Sequence, residues 1–440
     1  MNPRLFNSIR DHQADASLFL FFAAGMTGLV AHSLHPVFQV GEMLNLAQNI
    51  ASHGAFANPY SILPTGPTAE NPPLYPLILA GLIRVLQVPS LFKGAIVIGS
   101  ILANAVTAVL LPRIAFLFYK DVVPGFIASA FWIAAMPAFP AWDTSYTVAG
   151  LLFFCFFTSA SIGGDRKMAQ RAVLGGAIAG LLFLLNPSSL LVSLPWIGFL
   201  FWRSRSDLYR TAKYCGILLA ALSTFYVGWC GRNYYQLGAF VPRTNLGMVL
   251  YVSNNDCAES TAFREALTGC MQANHPFWST KEAEFLVKLG EVQYDRRRIA
   301  DAKNWARSNP DKFLDLTLTR ILQFWIPARE ANPVERGRSA YSYVVPDWVQ
   351  SWVRQQNGVA YAIWVITLLS IPGLFLMVRN REPLTFYVLA VLAIYPLTYY
   401  VTVSDMRYRY PVLWLSLLAA GYFVSGMINL SDRSVRPKAT

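Results

Sequence analysis

Along the chain, long apolar runs alternate with short polar stretches in the manner of membrane helices. Nine apolar stretches of about 18 or more residues contain no Asp, Glu, Lys or Arg, beginning near Ser17, Gly94, Val122, Thr144, Ala172, Tyr214, Gln355, Pro383 and Tyr410. As a helix, each is long enough for a hydrocarbon layer roughly 30 Å thick. The Ala172 run extends to Trp202 and is broken by Asn186-Pro187-Ser188-Ser189, which predicts a hairpin of two short helices. The pattern thus predicts an all-α polytopic membrane protein with about 10 to 11 transmembrane helices. The eleventh candidate, Pro72 to Leu86, carries Arg84 and at about 15 residues is marginal for spanning. Counting it as a crossing inverts all that follows, so it is expected to lie at, or dip into, the outer face.

Composition removes the soluble alternatives. At 55% hydrophobic and 14% charged, 440 residues carry more apolar surface than one or two cores could hide. The net charge of +12 does not point to nucleic acid, because Lys and Arg gather in short loops between apolar runs. Arg4 and Arg10, Arg113 and Lys120, the Arg166 to Arg171 and Arg203 to Lys213 clusters, Arg379 and Arg381, and Arg433, Arg436 and Lys438 all fall on one side when ten helices are threaded through them. That side is cytoplasmic by the positive-inside rule, and holds both termini. The first apolar run reads as an uncleaved anchor. Nothing addresses the chain to an organelle, so the expected location is a bacterial cytoplasmic membrane.

The remaining polar segments face outward: residues 35–71, the turn at Asp143, residues 232–354, and Asp405 to Arg409. The expected organisation is an N-terminal transmembrane module over 1–231, an outer cap segment over 232–354 and a C-terminal transmembrane module over 355–440. Within the cap, the stretch from Lys312 to Ile326 has the apolar character of an interfacial helix. Cys155, Cys215 and Cys230 fall in or at the ends of apolar runs and read as packing residues. Cys257 and Cys270 lie in the cap, where an oxidising compartment allows a disulfide; two free thiols are the alternative.

Candidate chemistry concentrates on this outer side. Glu42 opens a stretch with apolar residues at helical spacing and is the only acid between Asp15 and Glu70. It reads either as a helix-start charge favoured by the dipole or as a functional carboxylate. Asp143 is the single charge between two uncharged runs. It is either a turn residue or a partner carboxylate to Glu42, suited to a hydroxyl, an amine or a divalent cation. Arg232, Arg407 and Arg409 depart from the positive-inside bias. Guanidinium groups suit phosphate oxygens, and snorkelling to lipid headgroups is the plainer account. His53 and His275 read as ordinary polar residues, since the sequence clusters too few ligands for zinc.

Read in order, the anchor run, Gly41-Glu42, Gly54-Ala55-Phe56-Ala57-Asn58-Pro59, Thr65-Gly66-Pro67-Thr68-Ala69, Pro72-Pro73-Leu74-Tyr75-Pro76, Trp229-Cys230-Gly231-Arg232-Asn233 and the late Arg407-Tyr408-Arg409-Tyr410-Pro411 resemble the GT-C superfold glycosyltransferases. The likeness is closest to the branch of protein O-mannosyltransferases and lipid A aminoarabinose transferases, and covers most of the chain through degenerate motifs. It implies a GT-C-like membrane enzyme that moves a sugar from a polyprenyl-phosphate donor to a lipid, glycan or protein acceptor at the outer membrane face. In that family a first-loop acid acts as base, which maps onto Glu42, although many relatives carry Asp-Glu where this chain has Gly41-Glu42. The resemblance further implies that Asp143 orients the acceptor or helps hold a divalent cation. Arg232 and Arg407 would bind the carrier phosphate, with Arg409, Glu70 and Tyr75 as further substrate contacts. No other cofactor is implied.

Elementary chemistry fits such a reaction. A polyprenyl chain gains about 0.8 kcal/mol per buried methylene, so the donor stays in the bilayer and its enzyme must meet it there. A base takes the acceptor proton while positive groups stabilise the departing phosphate, and the sequence shows no P-loop or dinucleotide fingerprint. The competing readings are a transporter or lipid flippase and a noncatalytic relative. A transporter is expected to carry ionisable groups at mid-span or paired broken helices, whereas here the spans are clean and the acids sit at one face.

Overall fold

The structure, a computed structural model, describes residues 13–33, 41–138, 142–161, 167–329 and 347–435. Arg4, Arg10, His35, Arg166, Arg436 and Lys438 lie outside the described residues. Among the described residues every regular element is a helix, with two isolated bridges, Ala57 to Pro67 and Thr261 to Ser404.

The N-terminal part comprises α1 (Gln13–Ser33), α2 (Glu42–His53), α3 (Leu74–Leu86), α4 (Pro89–Tyr119), α5 (Val123–Ala134), α6 (Thr144–Ser161), α7 (Met168–Leu185), α8 (Leu190–Arg203) and α9 (Leu208–Leu237). An outer set follows: α10 (Leu246–Ser253), α11 (Ala262–Thr268), α12 (Cys270–Asn274), α13 (Thr280–Leu289), α14 (Glu291–Ser308) and α15 (Pro310–Trp325). The chain then passes through α16 (Asp347–Arg379), α17 (Thr385–Ile394), α18 (Leu397–Tyr400) and α19 (Tyr410–Val435). Both ends of the expected cap, Arg232 and Arg354, fall inside helices, α9 and α16.

The chain is an integral membrane protein, but the count of 10 to 11 spanning helices is corrected. Among the described residues six helices are long and apolar enough to cross: Gln13–Ala31, Pro89–Tyr119, Met168–Leu185, Leu208–Leu237, Gln356–Arg379 and Met406–Ile428. The apolar helices Leu74–Leu86, Val123–Ala134, Thr144–Ser159 and Thr385–Tyr400 are shorter. The reason is that freedom from charge does not guarantee helical continuity. The Val122 run stops being helical after Ala134, ahead of Pro137, and the Pro383 run is divided at Pro396. The predicted hairpin forms where Asn186 and Pro187 separate α7 from α8, with a single 3-10 turn between them.

In hydrocarbon, helices associate by close packing and by small residues that let backbones approach. The main pairs are α7 with α9, α16 with α19, α19 with α5, and α4 with α6. At the first crossing a Cβ on Gly176 would fall 2.3 Å from the carbonyl oxygen of Leu218. At the second, a Cβ on Gly373 would fall 2.0 Å from that of Ala419. The bundle core is aromatic, with Trp132, Trp196, Trp414, Tyr387 and Phe199 packed together, while Phe19, Phe22 and Leu29 of α1 remain exposed, as befits a lipid-facing helix.

The outer helices have a core of their own, built from Met248, Val252, Phe277, Leu286 and Tyr294, into which Tyr60 of the first loop inserts. A buried Arg298–Glu282 ion pair, flanked by the Tyr251 ring 3.9 Å from the guanidinium carbon, braces it. Cys257 and Cys270 form a disulfide. The helix α15 leaves Leu314, Leu318 and Leu322 exposed along one stripe and buries Leu316, Arg320 and Phe324. Its end is tied to a spanning helix, because Trp364 Nε1 donates to the Pro327 carbonyl and Thr367 Oγ1 to that of Trp325, both at 2.8 Å.

Replacing Gly176 by Leu is expected to force α7 from α9 and to cost about 1–3 kcal/mol, the usual range for overpacking. Thermal unfolding in detergent should show a lowered Tm, whereas Leu at Gly198, which has open space around it, should leave Tm near that of the parent.

Candidate active site

The helix α2 starts at Glu42 and ends at Gly54, whose left-handed backbone (φ 70°) lets its N–H reach the Ile50 carbonyl. Met43 and Ala47 pack on Tyr75 and Leu79 of α3, and Arg84 of α3 donates to the carbonyls of Ile50 and Ala51 at 2.9 Å. The α2–α3 pair is thereby fixed, with Glu42 at the start of α2. Oε1 of Glu42 lies 3.8 Å from Nε2 of His275, in the outer helical unit.

Between these helices the first loop has almost no regular structure and is held by side chains. Arg232 donates to the carbonyls of Thr68 (2.6 Å) and Phe56 (3.0 Å) while its guanidinium lies against both the Phe56 and the Trp229 ring, which also touch each other. Glu291 accepts from the Ala69 N–H at 2.7 Å and from the Thr244 hydroxyl. Arg243 donates through Nε to the Glu70 carbonyl, and Asn45 donates to the Pro59 carbonyl at 2.9 Å.

Three carboxyls surround the site besides Glu42. Glu70 is buried and its acidity is weakened well beyond the ordinary carboxylate range, first by burial and then by the charges of Glu42 and Glu291; the Tyr60 hydroxyl and Arg243 oppose the shift. Glu291 is likewise pushed up by burial, against the pull of its hydrogen-bond donors and Arg232. Asp143, just ahead of α6, is buried and pushed up by desolvation. Oδ2 of Asp143 accepts from Thr147 Oγ1 and Asn186 Nδ2, both at 2.9 Å, and Arg243 opposes its shift. Tyr75 is buried with its ring 5.6 Å from that of Tyr146, in the field of Asp143.

The arginines singled out in the sequence divide into two kinds. Arg407 places its guanidinium carbon 3.8 Å from the centre of the Trp142 ring, pairs with Asp405 at 3.1 Å and lies in the field of Glu42. Arg409 is 1% exposed and donates to the carbonyls of Phe324 and Trp325, packing α15 onto α19. Arg232 is spent on the loop backbone. The cation that the sequence reading passed over is Arg243, which interacts electrostatically with Asp143, Glu70 and Tyr399 at once. It lies among many other charged residues of the outer segment, and nothing local in the sequence sets it apart. Glu42, Glu70, Asp143, Arg243, Arg407, Tyr75 and His275 therefore gather at one end of the helix bundle, where α2 and α6 begin, α7 turns into α8, and α19 starts. Among the described residues no group of three or more His, Cys, Asp or Glu side chains has the geometry to hold a metal ion.

No family model and no curated protein sequence matches the chain. Solved structures do. The archaeal oligosaccharyltransferase of Archaeoglobus fulgidus in its apo form superimposes with a TM-score of 0.53 at 11% identity, over 96% of this chain and 53% of that one. The archaeal oligosaccharyltransferase AglB from Archaeoglobus fulgidus, in complex with an inhibitory peptide and a dolichol-phosphate, gives 0.50 at 11% identity, over 98% and 53%. The form tethered to an acceptor peptide containing the NVT sequon gives 0.51 at 12%, over 96% and 52%. The chain thus spans about half the length of these proteins. The likeness is one of fold, shared with an archaeal oligosaccharyltransferase.

Because burial raises the folded-state pKa of Glu70 above its unfolded value, the unfolded chain loses this proton first as pH rises, and stability falls from the ordinary carboxylate range upward. Glu70→Gln is expected to flatten that decline. Tm measured from about pH 5 to about pH 9 checks it, and an unchanged slope in the variant would reassign the effect.

Proposed function

We propose that the protein is a GT-C-type glycosyltransferase that takes a sugar from a polyprenyl-phosphate donor in the membrane and passes it to a lipid, glycan or protein acceptor at the outer face. The observation that carries this reading is the convergence of Glu42 and Asp143 with Arg243 and Arg407 at one end of a bundle with the oligosaccharyltransferase fold. The neighbour solved with a dolichol-phosphate supports a lipid-phosphate donor here, and the one with an acceptor peptide keeps a protein among the acceptors. Charges collected at a helix-bundle end, beside clean spans, support an enzyme over a transporter.

In this reading Glu42, at the start of α2 and 16% exposed, takes the proton of the acceptor nucleophile as the new glycosidic bond forms and the sugar–phosphate bond breaks. Arg407 and Arg243 offset the charge of the departing phosphate. Asp143, fixed by Thr147 and Asn186, orients the acceptor, and Tyr75 and Glu70 complete the pocket wall. Arg232 and Arg409 serve the framework that presents these groups. A divalent cation would find its ligands among the acids, with Asp143 and Glu42 the first candidates. The active face is outward, and the membrane that of a bacterial cytoplasm.

The test is transfer of radiolabelled mannose, glucose or aminoarabinose from undecaprenyl phosphate to acceptors in membranes. Glu42→Gln is expected to abolish transfer while leaving donor binding and Tm unaltered; undiminished turnover removes Glu42 from the mechanism. Arg407→Ala and Arg243→Ala are each expected to raise the apparent KM for the donor by roughly tenfold or more, given the about 1.5–3 kcal/mol of a hydrogen bond to a charged group. Unchanged donor KM in both would remove the phosphate role.

A further inference from the structure

We infer that His275, from the outer helical unit, is a positioning residue for Glu42, holding its carboxylate so that one oxygen stays free for the acceptor proton; this rests on the reading of Glu42 as the base. The backbone of His275 is fixed by three hydrogen bonds, and its ring is held by an aromatic contact and by the Phe277 N–H. Its backbone N–H donates to the Met271 carbonyl at 2.9 Å, and its own carbonyl accepts from the N–H groups of Trp278 (3.0 Å) and Ser279 (2.9 Å). The Tyr60 ring meets the imidazole edge to face, with centroids 6.1 Å apart. The helix immediately before it, α12, begins at Cys270, which the disulfide ties to Cys257.

The hydrogen bonding also selects the tautomer. Nδ1 accepts from the Phe277 N–H at 3.1 Å, so in the neutral ring the proton resides on Nε2, the nitrogen 3.8 Å from Glu42 Oε1. Burial favours that neutral ring, opposed by the charges of Glu42 and Glu282. Of these two carboxylates, Glu282 is already engaged by Arg298 and the Tyr294 hydroxyl, which leaves Glu42 as the acceptor for Nε2–H. A separation of 3.8 Å is longer than a formed hydrogen bond, and such contacts commonly shorten when substrate enters. The arrangement follows the logic of a base oriented by a third group, here a neutral donor rather than a second acid.

The experiment combines kinetics with a readout that needs no turnover. In the full-length protein, His275→Phe is expected to lower kcat by about tenfold to a hundredfold with the donor KM unchanged. His275→Gln, which restores an N–H donor, should recover most of the loss. Separately, 15N-histidine solid-state NMR should show one of the five histidines as the neutral Nε2-protonated tautomer, with a resonance that moves in Glu42→Gln. Parent-like kinetics in His275→Phe, or no recovery with Gln at an unaltered Tm, overturns the positioning role. If instead the parent transfers none of the three sugars while the resonance still responds to Glu42→Gln, the contact stands and the glycosyltransferase reading falls.

Discussion

A segment that makes few hydrogen bonds to itself must borrow partners, and the first loop does so through Arg232. The prolines and glycines between Gly54 and Pro73 leave that stretch without a helix or a sheet ladder, so its buried carbonyls need donors from elsewhere. One guanidinium, emerging from the end of a spanning helix, serves both Phe56 and Thr68. Arg243 and the Thr244 N–H donate to the carbonyls of Glu70 and Ala69, and Glu291 accepts from the Ala69 N–H. The loop in turn fixes α2 through the Asn45 to Pro59 bond, and with it the location of Glu42. Arginine suits this place because it stays charged and presents a rigid fork.

The same economy explains the charge distribution. Four carboxyls lie close together in a poorly hydrated place, and crowding of that kind is tolerated when some stay protonated and others are matched by cations. Burial pushes Glu70 and Glu291 toward the protonated form, opposed by the hydrogen-bond donors around them. Asp143 is held by Thr147, Asn186 and the field of Arg243, and Glu42 has Arg407 and His275 on its flanks. Carboxyls in such different surroundings are suited to different duties.

Local signals in the sequence carried far. Charge-free runs marked the membrane helices, Asn186-Pro187 marked the hairpin, and the sidedness of Cys257 and Cys270 allowed their bond. What the runs could not convey was continuity: Pro396 divides one of them, and another ends its helix at Ala134. The site was legible only in part for a related reason. Glu42, Asp143 and Arg407 stand out against apolar surroundings, whereas Arg243 and His275 lie in a polar segment where one more polar residue is unremarked. Their significance comes from neighbours far away in the chain, and no local pattern encodes that proximity. Arg409 shows the converse, since a cation at a membrane boundary can be wholly consumed by packing.

The insertion of Tyr60 among Met248, Val252, Phe277, Leu286 and Tyr294 bears on how this architecture can be rebuilt. The outer helices lack a self-sufficient interior, because a side chain supplied from almost two hundred positions upstream fills its centre. Chimaeras that exchange those helices between homologues, or that express them as a soluble fragment, would leave a hole in the middle of the transplanted piece unless the upstream aromatic travels with it. The two stretches form a single unit of inheritance, and changes in either are constrained by the shape of the other.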